Sequence, residues 1–471
     1  MKLMLLAATL LAGCAISEPE ESQQLEAITT AKAAFGAAVV VADFNGDKID
    51  DLAVGAPGSW SDFSPGAVYL FKGTTSGLVA WRRITPADLD QEIDNNRFGE
   101  ALAAGKIDDD DFAELVVGAP GSNEAFVLHG TSNGPSTSKF QKLSKGTFTD
   151  PDEDGGQLWG RQLVLHTEQP AFLAIGSTGP IAKVLKADLT RPVSEWFQLY
   201  ATLSPPASSS TAFAFGYGLL IADLDRDGHR DVVVGAPGLG VYTGDLFVYR
   251  GTGHSFGAAI TVHEQSSLPK ARGDNFGMQL AFSSHGFDSD HEPEVAVLAP
   301  HFGGTGRLFA MKLDIANGAL TGMHAAQGLP LESPENFPQR SLVVTDLDND
   351  GFDDVIVGEP ERTLGDHIQA GAIRIEMGSA SGLGSASTLV WAPTSTPSGD
   401  LVFPDTFDLF GSSIAIGHFS STSSSTRQLA VGLPQNPDDV DGLYESGAVM
   451  VLPIASGAVW PFGVYLDPTL F

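Results

Sequence analysis

Three stretches of this chain put carboxylates at alternate positions of a short polar turn. They are Asp43, Asn45, Asp47 and Asp51; Asp223, Asp225, Asp227 and Asp231; and Asp346, Asp348, Asp350 and Asp354. Each set follows Asp-x-[Asp/Asn]-x-Asp-x-x-x-Asp and ends three residues before a Val-Gly pair. Alternating carboxylates on a tight turn converge on one point, where without a counter-ion they would repel one another. Hard oxygen donors at that density suit Ca²⁺, which accepts about six to eight irregularly placed oxygens. The seventh residue of each loop, Ile49, His229 or Phe352, is expected to add its backbone carbonyl. The metal should be structural, because no histidine or water-activating carboxylate recurs beside the loops.

Two related turns are incomplete. Aligned on the same valine, one reads Lys106, Asp108, Asp110 and Glu114, so a lysine stands at the first ligand position and its ammonium is expected to replace the cation. The other reads Gly286, Asp288, Asp290 and Glu294, one ligand short. Among the three full sets, the first carries Lys48 where the others have Gly228 and Gly351, and it has three Asp and one Asn against four Asp. More ligand charge holds the cation more tightly, so the first loop is expected to empty soonest.

These loops belong to a repeat. An aromatic residue, usually followed by Gly, is answered about twenty residues later by a variant of Val-Gly-Ala-Pro, seven times. The starts are Phe35, Phe98, Trp159, Phe215, Phe276, Phe337 and Phe410, spaced by 63, 61, 56, 61, 61 and 73 residues. A period of this length marks a repeat architecture. Within the first copy, Ala37 to Ala42 is an apolar run expected to be buried on both faces, and Leu52 to Ala56 is a second strand after the acidic turn. Gly66 to Phe71 and Leu78 to Ile84 complete four strands. Four antiparallel strands per unit of this size make a propeller blade. The prediction is an all-β, seven-bladed β-propeller over residues 35–471, closed into one ring without exposed sheet edges. The full acidic sets then lie in the first, fourth and sixth blades, the incomplete ones in the second and fifth. The aromatic and glycine pairs are expected to pack between blades. The seventh blade can draw its third and fourth strands from Gly447 to Leu452 and Val459 to Leu466, while Leu25 to Thr30 offers an alternative outer strand.

Composition agrees. The chain has 54 Gly and 28 Pro in 471 residues and only 18% charged residues, which suits short strands joined by tight turns. A formal charge of −32 repels a phosphate backbone or an anionic bilayer surface and favours cations, so no nucleic-acid partner is expected. The N-terminus, Met1-Lys2 followed by an apolar run from Leu3 to Gly13, is too short to span a bilayer and has the shape of a signal peptide. Its end, Leu11-Ala12-Gly13-Cys14, resembles the lipobox of bacterial lipoproteins, which implies removal of residues 1–13 and lipid on Cys14, with Ala15 favouring the outer membrane. Residues 14–34 then form an acylated, solvated tether.

Phe-Gly to Gly-Ala-Pro units with Asp-x-Asp-x-Asp-Gly loops resemble the FG-GAP repeats of integrin alpha-subunit propellers. The resemblance implies calcium in the strand-to-strand loops at one face and ligand binding at the other. The function expected is a lipid-anchored, calcium-binding, monomeric cell-surface module for adhesion or for recognition of a protein or glycan. The alternative is an extracytoplasmic hydrolase or lyase with its site at the propeller mouth, although no His-Glu-x-x-His motif is present. Arg272-Gly273-Asp274 runs directly into the fifth repeat and is explained by that position.

Overall fold

The computed structural model describes residues 33–58, 65–91, 96–144, 146, 159–206, 214–238, 244–262, 275–300, 306–316, 319–325, 329–330, 341–384, 387–390, 394–395, 401–402, 408–420, 427–434, 447–455, 458–459 and 464–471. They form seven antiparallel sheets, one per repeat, each running from an innermost strand outward in chain order. Blade 1 consists of Ala38–Ala42, Asp51–Ala56, Ala67–Thr74 and Gly77–Ile84. The seventh consists of Ile414–Gly417, Gln428–Leu433, Ala448–Ala455 and Val464–Leu466, all from the C-terminal part of the chain. Each innermost strand packs beside the next around the circle, and Ala38–Ala42 meets Ile414–Gly417 to close it. Among the described residues the only helices are short 3₁₀ turns. The expected seven-bladed, all-β propeller is therefore the observed fold.

Burial follows from this geometry with one correction. Ala38–Ala42, expected to be buried on both faces, is mostly half-buried, because the innermost strands turn one face to the central channel. The fully buried strand is the second one. Asp51–Ala56, Glu114–Ala119, Asp231–Ala236, Glu294–Ala299 and Asp354–Glu359 are buried at every position, with a neighbouring blade over each face. That is why they read as continuous Val-rich runs rather than as alternating ones.

The apolar core is not one cluster but seven, each between two blades. Phe44, Ala53 and Leu70 of blade 1 join Leu115, Val117 and Phe126 of blade 2, and the pattern continues to the seam, where Phe35, Val54 and Tyr69 meet Ala430, Val449 and Val451. The aromatic of each Phe-Gly pair is the centrepiece. Phe35 stacks edge-on against Tyr69 at 5.2 Å, Phe98 against Phe126 at 5.6 Å and Phe276 against Phe309 at 5.5 Å. Such pairs contribute about 0.5–1.5 kcal/mol beyond area burial. Phe98 also bridges Gly66 of the preceding blade, as Phe35 bridges Gly447 across the seam.

The glycine of Gly-Ala-Pro has a matching role. A Cβ at Gly55 would lie 2.0 Å from the carbonyl oxygen of Gly99, and one at Gly235 would lie 1.9 Å from that of Gly277. Each such glycine admits the Phe-Gly turn of the next blade. In the fifth repeat the residue in place of that glycine is Leu298, and the sixth repeat opens with Phe337-Pro338 rather than Phe-Gly, so the two departures come together in the sequence.

Part of the segment between the sixth and seventh repeats adds to the outer edge of blade 7, with Ser395 pairing in parallel with Val464. Cys14, Leu25 to Thr30, Arg272-Gly273-Asp274 and residues 59–64 lie outside the described residues, as does Phe337-Pro338.

Candidate metal loops and the central mouth

Every acidic loop joins the end of an innermost strand to the start of a second strand, so all of them sit at one end of the ring. The first carboxylate shapes the turn: Asp43 accepts the amides of Gly46, Asp47 and Lys48 at 2.7 to 3.1 Å. Asp223 accepts those of Asp227 and Gly228, and Asp346 those of Asp350 and Gly351. A carboxylate that bonds amides a few residues on stabilises a turn in place of a ladder. Two positions of each loop are left-handed: Gly46 and Lys48 (φ 77° and 70°), Arg226 and Gly228 (54° and 84°), and Asn349 and Gly351 (62° and 96°). The unusual first loop thus keeps the common backbone and places its one glycine at the other left-handed position.

The amides of Ile49, His229 and Phe352 donate to Asp47, Asp227 and Asp350. The last carboxylate of each loop is buried and ties the turn to the blade. Asp51 accepts from the amides of Phe44 and Gly73, Asp231 from Leu224 and Gly251, and Asp354 from Leu347 and Gly378. Burial pushes Asp51, Asp231 and Asp354 each up to about 6 despite those hydrogen bonds. It likewise pushes Glu114 of the second loop up to about 8. Asp348 is also raised, first by burial and then by the neighbouring Asp350.

Carboxylate oxygens of Asp223, Asp225 and Asp227 all lie within 4.8 Å of one another, as do those of Asp346, Asp348 and Asp354. The chemistry of these donor sets fits a hard divalent cation. The sequence reading missed a second source of charge, the third strand. Lys72 reaches Asp47 Oδ2 at 3.1 Å and Asn45 Oδ1 at 3.4 Å, and Arg250 bridges Asp225 and Asp227. In the second loop His129 Nδ1 stands 3.2 Å from Glu114 and 3.9 Å from Asp108. The expectation for Lys106 is corrected accordingly. Its side chain is exposed, and the basic group that enters the loop is His129 from across the sheet. A basic residue followed by Gly, as in Lys72-Gly73, His129-Gly130 and Arg250-Gly251, was the signal available in the sequence.

At the other end of the ring the starts of all seven innermost strands surround a cavity of about 320 Å³. Its lining includes the polar residues Gln162, Gln279, Ser341, Ser412 and Ser413 and an ion pair, Arg161 and Glu100. Arg161 lies 3.7 Å from Glu100 and 5.1 Å from the ring centre of Tyr217, and Glu100 also pairs with Arg97. The three serine hydroxyls donate to the carbonyls of Gly411, Leu409 and Gly36 at 2.7 to 2.8 Å, which commits their protons to holding the ring.

A seven-bladed ring with acidic loops at one end and a polar mouth at the other defines a class. The family model for the FG-GAP repeat matches residues 35–71, 215–249 and 339–374, the three repeats with full acidic sets. Integrin alpha-4 of Xenopus laevis is 34% identical over 119 residues, covering 24% of this chain and 11% of that protein. Human integrin alpha-7 is 32% identical over 164 residues, covering 34% and 13%, and human phosphatidylinositol-glycan-specific phospholipase D is 37% identical over 117 residues, covering 23% and 14%. The matched segments thus span less than a sixth of these relatives. The chain is a seven-bladed β-propeller that carries FG-GAP repeats and is similar to the propellers of integrin alpha subunits.

Proposed function

We propose that this chain is a calcium-stabilised recognition module, held at a bacterial outer membrane or cell surface by lipid on Cys14, whose Phe-Gly end meets a protein or glycan. The observation that carries the reading is the separation of the two ends: acidic turns built for cations at one, a polar mouth with the Arg161–Glu100 ion pair at the other. Asp43, Asn45, Asp47 and Asp51, Asp223 to Asp231, and Asp346 to Asp354 would hold Ca²⁺, with the carbonyls of Ile49, His229 and Phe352 completing each set. The ion would neutralise the crowded carboxylates and pin two strands of a blade. The similarity to a phospholipase D raises an enzymatic reading. The mouth favours binding instead, because its serine protons are held by backbone carbonyls and its glutamines and arginine are donors suited to recognition.

The test uses the soluble fragment beginning after Thr30. Partners captured from envelope extract or on a glycan array in calcium should be lost with Arg161→Ala, which lies at the mouth and away from the metal loops. Capture that is indifferent to Arg161 would place recognition elsewhere. For the anchor, Cys14→Ser should leave the membrane fraction while the propeller still folds, and an unmodified Cys14 in that fraction would refute lipidation.

A further inference from the structure

The seven blades differ at one register position, the residue on the third strand that faces the last position of the loop. Val68 to Phe71 pairs with Leu52 to Gly55, which sets Lys72 opposite Asp51. The same pairing sets His129 opposite Glu114, Arg250 opposite Asp231 and Lys312 opposite Glu294. In blade 6, Val355 pairs with Glu376, and the next residue, facing Asp354, is Met377. In blades 3 and 7, where the loop has no acidic set, the position holds Lys186, which lies over the rings of Phe172 and Tyr200 instead of a carboxylate, and Pro453. A basic side chain thus stands here in every blade with an acidic loop except the sixth.

We propose that this third-strand residue decides whether an acidic loop is neutralised by the protein's own cation or takes a metal ion, which makes the sixth loop the tight calcium site. The inference rests on the calcium reading above and ranks the two loops, the fourth and the sixth, that charge count leaves equal. Charge count alone places the fourth and sixth loops level, with four Asp each. In the fourth, however, Arg250 bridges Asp225 and Asp227, and Arg230 stands 3.7 Å from Asp223. In the first and fifth, Lys72 is 3.1 Å from Asp47 and Lys312 is 3.0 Å from Asp290. A tethered cation competes at an effective concentration on the order of millimolar, comparable to the roughly 0.1–1 mM range of extracellular calcium modules. An incoming ion must displace it, and the gain from neutralising the carboxylates has already been taken.

The sixth loop differs in both respects. Among the described residues the basic group bonded at its start is Arg427 from blade 7, which donates to Thr345 Oγ1 and to the backbone carbonyls of Asp346 and Leu347, not to the carboxylates. A cavity of about 540 Å³ borders the loop at Asp346, Gly351 and Asp353, with His285 and Arg427 also on its wall.

Calcium titration of the whole chain by isothermal calorimetry, after chelation and with folding checked by circular dichroism, tests this. The wild type should show one site at least about tenfold tighter than any other. Asp350→Ala and Met377→Arg should each remove that site, whereas Arg250→Met should create a second site of similar affinity in the fourth loop. Equal sites in the wild type, or affinities indifferent to both third-strand substitutions, would overturn the ranking while leaving calcium binding intact. No calcium heat in the wild type or in Arg250→Met would overturn the calcium reading and the ranking together.

Discussion

At the scale of single residues, the loops are built around carboxylates that the fold buries on purpose. Glu114 shows the cost most plainly. It is fully enclosed, and burial is the largest cause of its rise from the ordinary value of 4.5 to about 8, with amides of Ile107 and Gly130 acting against it and Asp108 and Asp110 adding to it. A carboxyl raised in the folded state binds its proton more tightly there than in the unfolded chain. Its contribution is complete below pH 4.5 and is lost as pH rises through about 8. Glu114→Gln removes that titration. The wild type should therefore lose stability relative to the variant between pH 4.5 and 8, measured from urea midpoints at several pH values. Parallel profiles for the two proteins would mean that Glu114 does not titrate in this window.

At the scale of elements, the blade is held by close approach as much as by apolar burial. Gly235 has an ordinary backbone conformation but no room, since its Cβ would lie 1.9 Å from the Gly277 oxygen of the next blade. Gly382 is the opposite case: its φ of 96° is left-handed, with nothing within 4 Å of a Cβ. Overpacking costs about 1–3 kcal/mol and sometimes more, whereas a left-handed Ala costs about 1–2 kcal/mol. Gly235→Ala should destabilise by about 3 kcal/mol or more and Gly382→Ala by no more than about 2 kcal/mol. Equal losses in denaturant titration would show that the Gly-Ala-Pro turn is not pressed against its neighbour.

At the scale of the whole molecule, closure makes all seven interfaces equivalent. Phe35 at the seam and Phe98 within the ring are both fully buried and stacked on a third-strand aromatic. Replacing a buried Phe by Ala costs about 3–5 kcal/mol, and the two substitutions should cost the same within error. A much smaller loss for Phe35→Ala would indicate an open ring. Metal binding also acts globally, since a ligand held only by the native state stabilises by about 2.7 kcal/mol at a hundredfold excess over Kd. Chelation should lower the melting temperature, Asp350→Ala should remove much of that response, and Asp110→Ala should leave it. The same melting temperature in calcium and in EDTA would reduce the loops to acidic turns.

The fold was legible because its signals are local and repeated. Phe-Gly, the acidic turn and Gly-Ala-Pro each act within about twenty residues, and seven copies in register specify one ring. The carboxylates of the full sets were legible for the same reason, since Asp223, Asp225 and Asp227 converge through the turn they occupy. Only the tertiary structure decided what stands opposite them. Lys72, His129, Arg250 and Met377 are 15 to 25 residues from the carboxylates they face or adjoin, and strand pairing alone brings them there. The mouth was equally hidden, because Glu100, Arg161 and Tyr217 come from three different blades and meet only when the ring closes. Contacts carried by a repeat recur in sequence, whereas contacts made across strands and blades depend on a register that no short segment encodes.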